Sequence, residues 1–256
     1  MATVKEIYEY LDGLFPRGLS CDWDNDGLMV CGDFTCEVKK ALLTLDVTEK
    51  VVDYAEKSGC DLIISHHPLI FRKLAGLSED YPSAALPMRL LRSGISVISL
   101  HTRFDAGNNG MNDTIAALLG LEVISDFGPD GEKCGRLCRC DIPLDALCEK
   151  IKKATGAPVL SVSKAGEVCR TVAILGGDGK DFVFAAVDAG ADVFITGDAG
   201  YNVMLDAAAQ GLTVIEAGHY YTEYLPFVMK ISSLLGKKFP DLETETCKVG
   251  CEITII

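Results

Sequence analysis

An α/β fold made of two similar halves is predicted by three observations. Strand-like and amphipathic helical stretches alternate along the chain. A pattern also recurs. Residues 40–65, KALLTLDVTEKVVDYAEKSGCDLIIS, read as strand, turn, helix, Gly, strand, and residues 172–196, VAILGGDGKDFVFAAVDAGADVFIT, read the same way with one residue fewer. Finally, the strands are short, continuous apolar runs, the pattern expected where helices cover both faces of a sheet.

The elements follow in order. MATVKEIYEYLDGLF carries Glu6, Glu9 and Asp12 through an amphipathic helical pattern, unlike the basic and apolar regions of a secretory leader. The first repeat runs through a helical stretch into a third strand, ISVISL (95–100), and the second into LTVIEAG (212–218). Between them, roughly 121–171, lie strand-like CGRLCRC and a helical DALCEKIKKATG that ends at Gly156. This segment opens the second half, so the expected halves are 1–125 and 126–256. YTEYLPFVMKISSLLG continues as an amphipathic helix despite Pro226.

With 256 residues and 48% hydrophobic content, the chain can bury a core large enough for one large or two modest domains. A net charge of −13 argues against nucleic acid and anionic membranes as partners, and no apolar run reaches the ~18 residues of a membrane span. A cytoplasmic protein with small-molecule or protein partners is expected. Its eleven cysteines are dispersed, which suits reduced thiols, and CGRLCRC lacks a C-x-x-C pair.

The chain has four histidines, each just past a predicted strand: His66 and His67 after DLIIS, His101 after ISVISL, His219 after LTVIEAG. That edge of an α/β sheet is where ligand sites form. Asp105 follows His101 by four residues and Glu223 follows His219 by four, the spacing that places two side chains on one helical face. Adjacent histidines on an extended segment are expected to point to opposite sides and to serve two different sites. Three to four imidazoles with two carboxylates exceed one open tetrahedral zinc site and suit two bridged metals. The mixed N/O set fits Zn, Mn, Fe, Co or Ni.

WDNDGL (23–28), LDVT (45–48), GCDLIISHHPLIF (59–71), HTRFDAGNNGMND (101–113), GADVFITGD (190–198) and GHYYTE (218–223) together resemble the GTP cyclohydrolase 1 type 2 homologues, also called NGG-interacting-factor-three-like proteins. The resemblance covers nearly the whole chain. It implies two intertwined α/β repeats with mixed sheets, a toroidal homohexamer and a dinuclear metal centre, in the short form without an inserted domain. By resemblance the metal ligands are His66, His67, Asp105, His219 and Glu223, with Glu223 bridging, while His101 is a catalytic residue moving protons beside the metals. The chain departs from the family at TGDAGYN, where many relatives have a histidine near Asn202, and at CGRLCRC, where a glycine-rich stretch is usual.

Other residues carry open readings. GGDGKD (176–181) forms a tight turn or presents N–H groups to a phosphate. Asp24 is a motif residue or a turn cap, and Trp23, the only tryptophan, is read as a packing anchor rather than a base-stacking platform. Arg103, with Arg72 and Lys73, is a candidate anchor for an anionic substrate or a solvated charge. The expected function is metal-dependent hydrolysis of a small molecule such as a nucleotide. The alternatives are a phosphoesterase and a non-catalytic protein that stores, delivers or senses metal.

Overall fold

The computed structural model of the chain describes residues 1–78 and 80–247. Packing gathers them into two units: Met1–Phe104 with the described residues from Phe227 onward, and Asp105–Pro226. The second unit is therefore contiguous and interrupts the first. This division follows contacts, whereas the halves at 1–125 and 126–256 follow the repeated pattern.

Unit 1 begins with β1 (Ala2–Thr3) and α1 (Val4–Leu14). Thr3 and Glu6 close a capping box on α1: the Thr3 N–H donates to Glu6 Oε2 at 2.8 Å, and the Glu6 N–H to Thr3 Oγ1 at 3.2 Å. Next come β2 (Gly27–Val30), β3 (Glu37–Val38), β4 (Lys40–Thr44), α2 (Glu49–Lys57), β5 (Leu62–Ser65), α3 (Pro82–Ser93), β6 (Ser96–Ser99) and the single turn α4 (Thr102–Ala106). Thr48 of LDVT caps α2, and Gly94, at φ 71°, ends α3 in the left-handed conformation that glycine adopts without strain.

Unit 2 continues with α5 (Met111–Leu118), β7 (Glu122–Phe127), β8 (Gly135–Arg139), α6 (Leu144–Thr155), β9 (Ser161–Ser163), β10 (Thr171–Asp178), α7 (Val183–Asp188), β11 (Val193–Asp198), α8 (Tyr201–Ala209) and β12 (Thr213–Glu216). The long α9 (His219–Lys238) begins in unit 2 and ends in unit 1, where β13 (Glu243–Thr246) follows. The helix expected after His219 thus runs through Pro226. No described helix is long and apolar enough to cross a membrane.

Each unit is organised on a mixed sheet. In unit 1 the order is β13-β4-β5-β6-β2, parallel except for β2. In unit 2 it is β7-β8-β10-β11-β12-β9, with β10, β11 and β12 parallel and the other three antiparallel to their neighbours. Central strands are buried on both faces, as their unbroken apolar runs predict. Leu42, Ile63 and Val97 pack with Val51, Val52, Ala55 and Leu90, while Ala173, Phe194 and Val214 pack with Val183, Ala186, Met204 and Ala207.

The repeat extends to individual hydrogen bonds. Asp61 Oδ2 accepts from the N–H groups of Lys39 and Lys40 at 2.8 and 3.0 Å, and Asp192 Oδ2 accepts from those of Arg170 and Thr171, both at 2.9 Å. A carboxylate before the middle strand holds the entry to the first strand of the core in both units. CGRLCRC supplies β8, as its alternation predicts.

Candidate metal centre

In unit 1 the backbone N–H groups of His66 and His67 donate to Thr44 O and Leu45 O beyond the paired stretch of β4 and β5. β5 itself ends at Ser65, and the chain bends through both histidines. They therefore escape the strict alternation of an extended strand. Their ring centroids are 5.1 Å apart, and His101 lies 5.3 and 5.6 Å from them. One ligand atom from each of the three imidazoles lies within 4.8 Å of the others. β5 stops one residue before His66, so the alternation of an extended strand does not reach the pair.

All three rings are oriented through Nδ1. His66 Nδ1 donates to Leu100 O at 2.8 Å, which fixes the proton on that nitrogen because a carbonyl can only accept. His67 Nδ1 lies 2.7 Å from Asp46 Oδ1, and His101 Nδ1 lies 2.9 Å from Asp24 Oδ1. An imidazole whose Nδ1–H is held by a carbonyl or carboxylate presents its Nε2 lone pair to a metal.

Asp24 also accepts from the Thr102 N–H at 3.1 Å and its hydroxyl at 2.5 Å. Burial pushes its carboxyl up, but the hydrogen bonds from His101 and Thr102 outweigh this and hold it down at about 2. Asp24 is therefore an ionised partner at neutral pH.

Unit 2 repeats the device with a different donor set. His219 opens α9, its Nδ1 2.9 Å from Asp198 Oδ2, and its Nε2 lies 3.1 Å from Glu223 Oε2 one turn on. With the proton on Nδ1, Nε2 and the carboxylate are two electron-rich atoms facing each other, an arrangement that a proton or a cation relieves. Glu223 is buried. Room for it comes from Gly177, at φ 70°, where a Cβ would collide with Glu223 Oε1 and lie 3.3 Å from His219 Nε2. The glycines of GGDGKD thus admit the carboxylate. Thr222 accepts from the Gly177 N–H at 3.1 Å and donates to His219 O at 2.9 Å.

Asp105, on α4, is half-buried, and its carbonyl accepts from Asn112 Nδ2 at 3.3 Å. The fully buried Asn112 also accepts from the Gly176 N–H at 2.8 Å, so one amide holds both the Asp105 turn and the irregular Gly176–Gly177 end of β10. The donors present, imidazole nitrogens fixed in the ligating tautomer and a buried carboxylate, fit a divalent transition-metal ion.

A family model described as Duf34/NIF3 (NGG1p interacting factor 3) matches residues 2–252. The chain belongs to that family. The GTP cyclohydrolase 1 type 2 homolog of Clostridium perfringens is 34% identical to it over 242 residues, 92% of each chain. GTP cyclohydrolase 1 type 2 of Helicobacter pylori strain J99 is 36% identical over 225 residues, covering 87% of this chain and 88% of that one. Among solved structures, Staphylococcus aureus hypothetical protein SA1388 superposes with a TM-score of 0.86 at 26% identity, covering 99% of both chains. Reduced HcgD from Methanocaldococcus jannaschii gives 0.83 at 29% identity, covering 96% of this chain and 98% of that one.

Two sequence readings of this Duf34/NIF3 chain change in the structure. Arg103 is 0% exposed: Nε and Nη2 donate to the two Asp26 oxygens at 3.0 and 3.1 Å, and Nη1 donates to Asp12 at 2.7 Å and Phe15 O at 3.2 Å. Its guanidinium is spent inside unit 1, which corrects its expected role as an anchor for an anionic substrate. Trp23, expected to be a packing anchor, is 61% exposed.

Sequence reading missed Asp24, Asp46 and Asp198 as the residues that orient histidines. Their signal was present in WDND, LDVT and TGD, an aspartate at or near a turn in each motif. Asn202, at the departure from the family pattern, lines a 340 Å³ cleft with Asp178, Lys180 and Asp198.

Proposed function

We propose that the chain would hold two divalent metal ions on His66, His67, Asp105, His219 and Glu223 and hydrolyse a small molecule such as a nucleotide. The observation that carries this reading is that the three ligand imidazoles, His66, His67 and His219, each have Nδ1 held by a carbonyl or a carboxylate, which prepares Nε2 to bind a metal. A structural histidine needs no such uniform treatment.

When bound, such a metal pair supplies Lewis acidity that polarises the scissile bond and makes water a nucleophile near neutral pH. The protein's part is positional. Asp46 and Asp198 hold the rings of His67 and His219, and the buried Leu100 carbonyl holds that of His66. His101, steadied by ionised Asp24, moves protons through Nε2, as a histidine oriented by an aspartate does in other hydrolytic sites. Support for ring-opening hydrolysis comes from relatives called GTP cyclohydrolase 1 type 2. A cytoplasmic homohexamer belongs to the same proposal.

The test is metal content per chain by mass spectrometry on native protein and on Glu223→Ala, with a hydrolysis screen using the metal found. About two metals per chain in the native protein and fewer than one in the variant is the expected result. Protein that takes up no metal even after reconstitution ends the proposal. Loaded metal with no turnover of nucleotides or phosphoesters leaves metal storage, delivery or sensing as the function.

A further inference from the structure

We propose that Trp23 and Phe71 form a binding subsite for a planar heteroaromatic ring carrying an anionic group, placed beside His101. The inference rests on the reading that His101 serves a reactive centre, and it specifies the kind of substrate that centre takes.

Trp23 and Phe71 are 61% and 47% exposed, and their ring centroids are 6.1 Å apart at an interplanar angle of 71°. Both rings adjoin His101, at 5.9 Å from Trp23 and 6.2 Å from Phe71. Two rings meeting at this angle make an open corner: a flat ligand lies on the face of one with its edge against the other, the offset or edge-to-face packing that aromatic quadrupoles favour. A single exposed apolar side chain is ordinary. Two exposed aromatic rings grouped around a histidine of the candidate centre are a recognition feature.

The corner is also held rigidly. The Cys21 N–H donates to Thr102 Oγ1 at 3.0 Å, and the Asp24 N–H to Cys21 O at 3.0 Å. Asp24 is buried against His101 and Thr102, and Asn25 Nδ2 donates to Ile70 O, tying the tryptophan loop to the phenylalanine loop. Trp23 is thus exposed although its neighbours on both sides are pinned. A ring held ready in this way costs little further ordering when it binds.

Arg72 and Lys73 follow Phe71 directly, are exposed, and form no ion pair among the described residues. In a chain of net charge −13, an unsatisfied cationic pair beside the aromatic corner suits an anionic substituent on the ring.

Trp23 is the only tryptophan, so fluorescence excited at wavelengths that the eight tyrosines do not absorb reports on this corner alone. The experiment titrates guanosine monophosphate, guanosine and ribose 5-phosphate into native protein, Phe71→Ala, Phe71→Tyr and the double variant Arg72→Ala/Lys73→Ala, with folding checked by circular dichroism and metal content measured on the same samples.

Saturable quenching by the two ring-bearing probes and none by ribose 5-phosphate is expected. Phe71→Ala should weaken binding about tenfold and Phe71→Tyr should restore it, while the double variant should weaken the monophosphate and spare guanosine. Three results overturn the proposal: no response to either ring-bearing probe, equal affinity in native protein and Phe71→Ala, or ligand-free emission shielded from acrylamide, which would mean that another copy of the chain covers Trp23. Native metal content without ring binding removes this inference and keeps the metal centre. Ring binding without metal does the reverse.

Discussion

In unit 1 the middle strand of the sheet runs out as Ser65-His66-His67, whereas in unit 2 the matching positions read Thr196-Gly197-Asp198. The frames are equivalent, down to Asp61 and Asp192 gripping the entry to the first core strand. The chemistry at their ends is not. Where unit 1 places two imidazoles, unit 2 places a glycine so tightly enclosed that a Cβ would come within 2.6 Å of Gly177 O and 2.7 Å of His219 Cα. Unit 2 gives up a ligand on its middle strand to let His219 and Glu223 enter from α9. A duplicated scaffold thus yields two donor sets, three imidazoles against one imidazole and a carboxylate, through substitutions at strand ends that leave the sheet intact.

The largest effect that would break the comparison concerns the fully buried arginine each unit contains. Arg103 pairs with Asp26, and Arg136 pairs with Asp113 while also donating to Ala106 O and Gly107 O. Arg103→Ala removes one of the two arginines that pair with the buried Asp26, the other being Arg17, and Arg136→Ala strips the donor from buried backbone carbonyls as well as from Asp113; each should cost about 3 kcal/mol in denaturant unfolding. A loss in only one of the two would mean that the units use their arginines differently.

Gly197→Ala should cost about 1–3 kcal/mol, because backbone atoms rather than a flexible side-chain end must give way. It should also lower metal content by displacing His219. Unchanged metal content would separate the glycine from the site.

Asp61→Ala and Asp192→Ala sharpen the comparison by removing the same two hydrogen bonds from each repeat. About 1 kcal/mol apiece is expected, once partial exposure is discounted, and the two values should agree. The smallest effect concerns one thiol from each unit. Burial pushes Cys60 up to about 11 and Cys138 up to about 12, so neither should react with iodoacetamide at pH 8 until the chain is denatured. Because these folded-state values are raised, the stability linked to keeping the thiols protonated is complete below about pH 8.5. It is lost as pH climbs through 11 and 12, which a denaturation series against pH would detect.

What the sequence revealed was whatever depends on local period. The alternation of β4, α2, β5 and of β10, α7, β11 is written in apolar runs and helical spacing, and it carries the histidines to strand ends because those ends terminate the runs. The pairing of His219 with Glu223 was legible for the same reason. Contacts between distant segments were not. Asp24 meets His101 across most of unit 1, and an aspartate in WDND resembles any turn former. Arg103 reads as a surface charge because arginines are almost never fully buried, and only the fold brings Asp26, Asp12 and Phe15 O to it. The convergence of His66 and His67 depends on where β5 stops pairing, which apolar content alone does not mark.

The interruption of unit 1 by unit 2 sets an order of assembly during synthesis. All of Asp105–Pro226 leaves the ribosome as one uninterrupted stretch and can complete its sheet while the chain is still growing. Unit 1, started first, must wait: its edge strand β13 pairs with β4 only after the whole of unit 2 and α9 have been made. Until then β4 offers an open apolar edge to water or to a chaperone, so the half of the molecule whose synthesis starts first is the half whose sheet can be completed last.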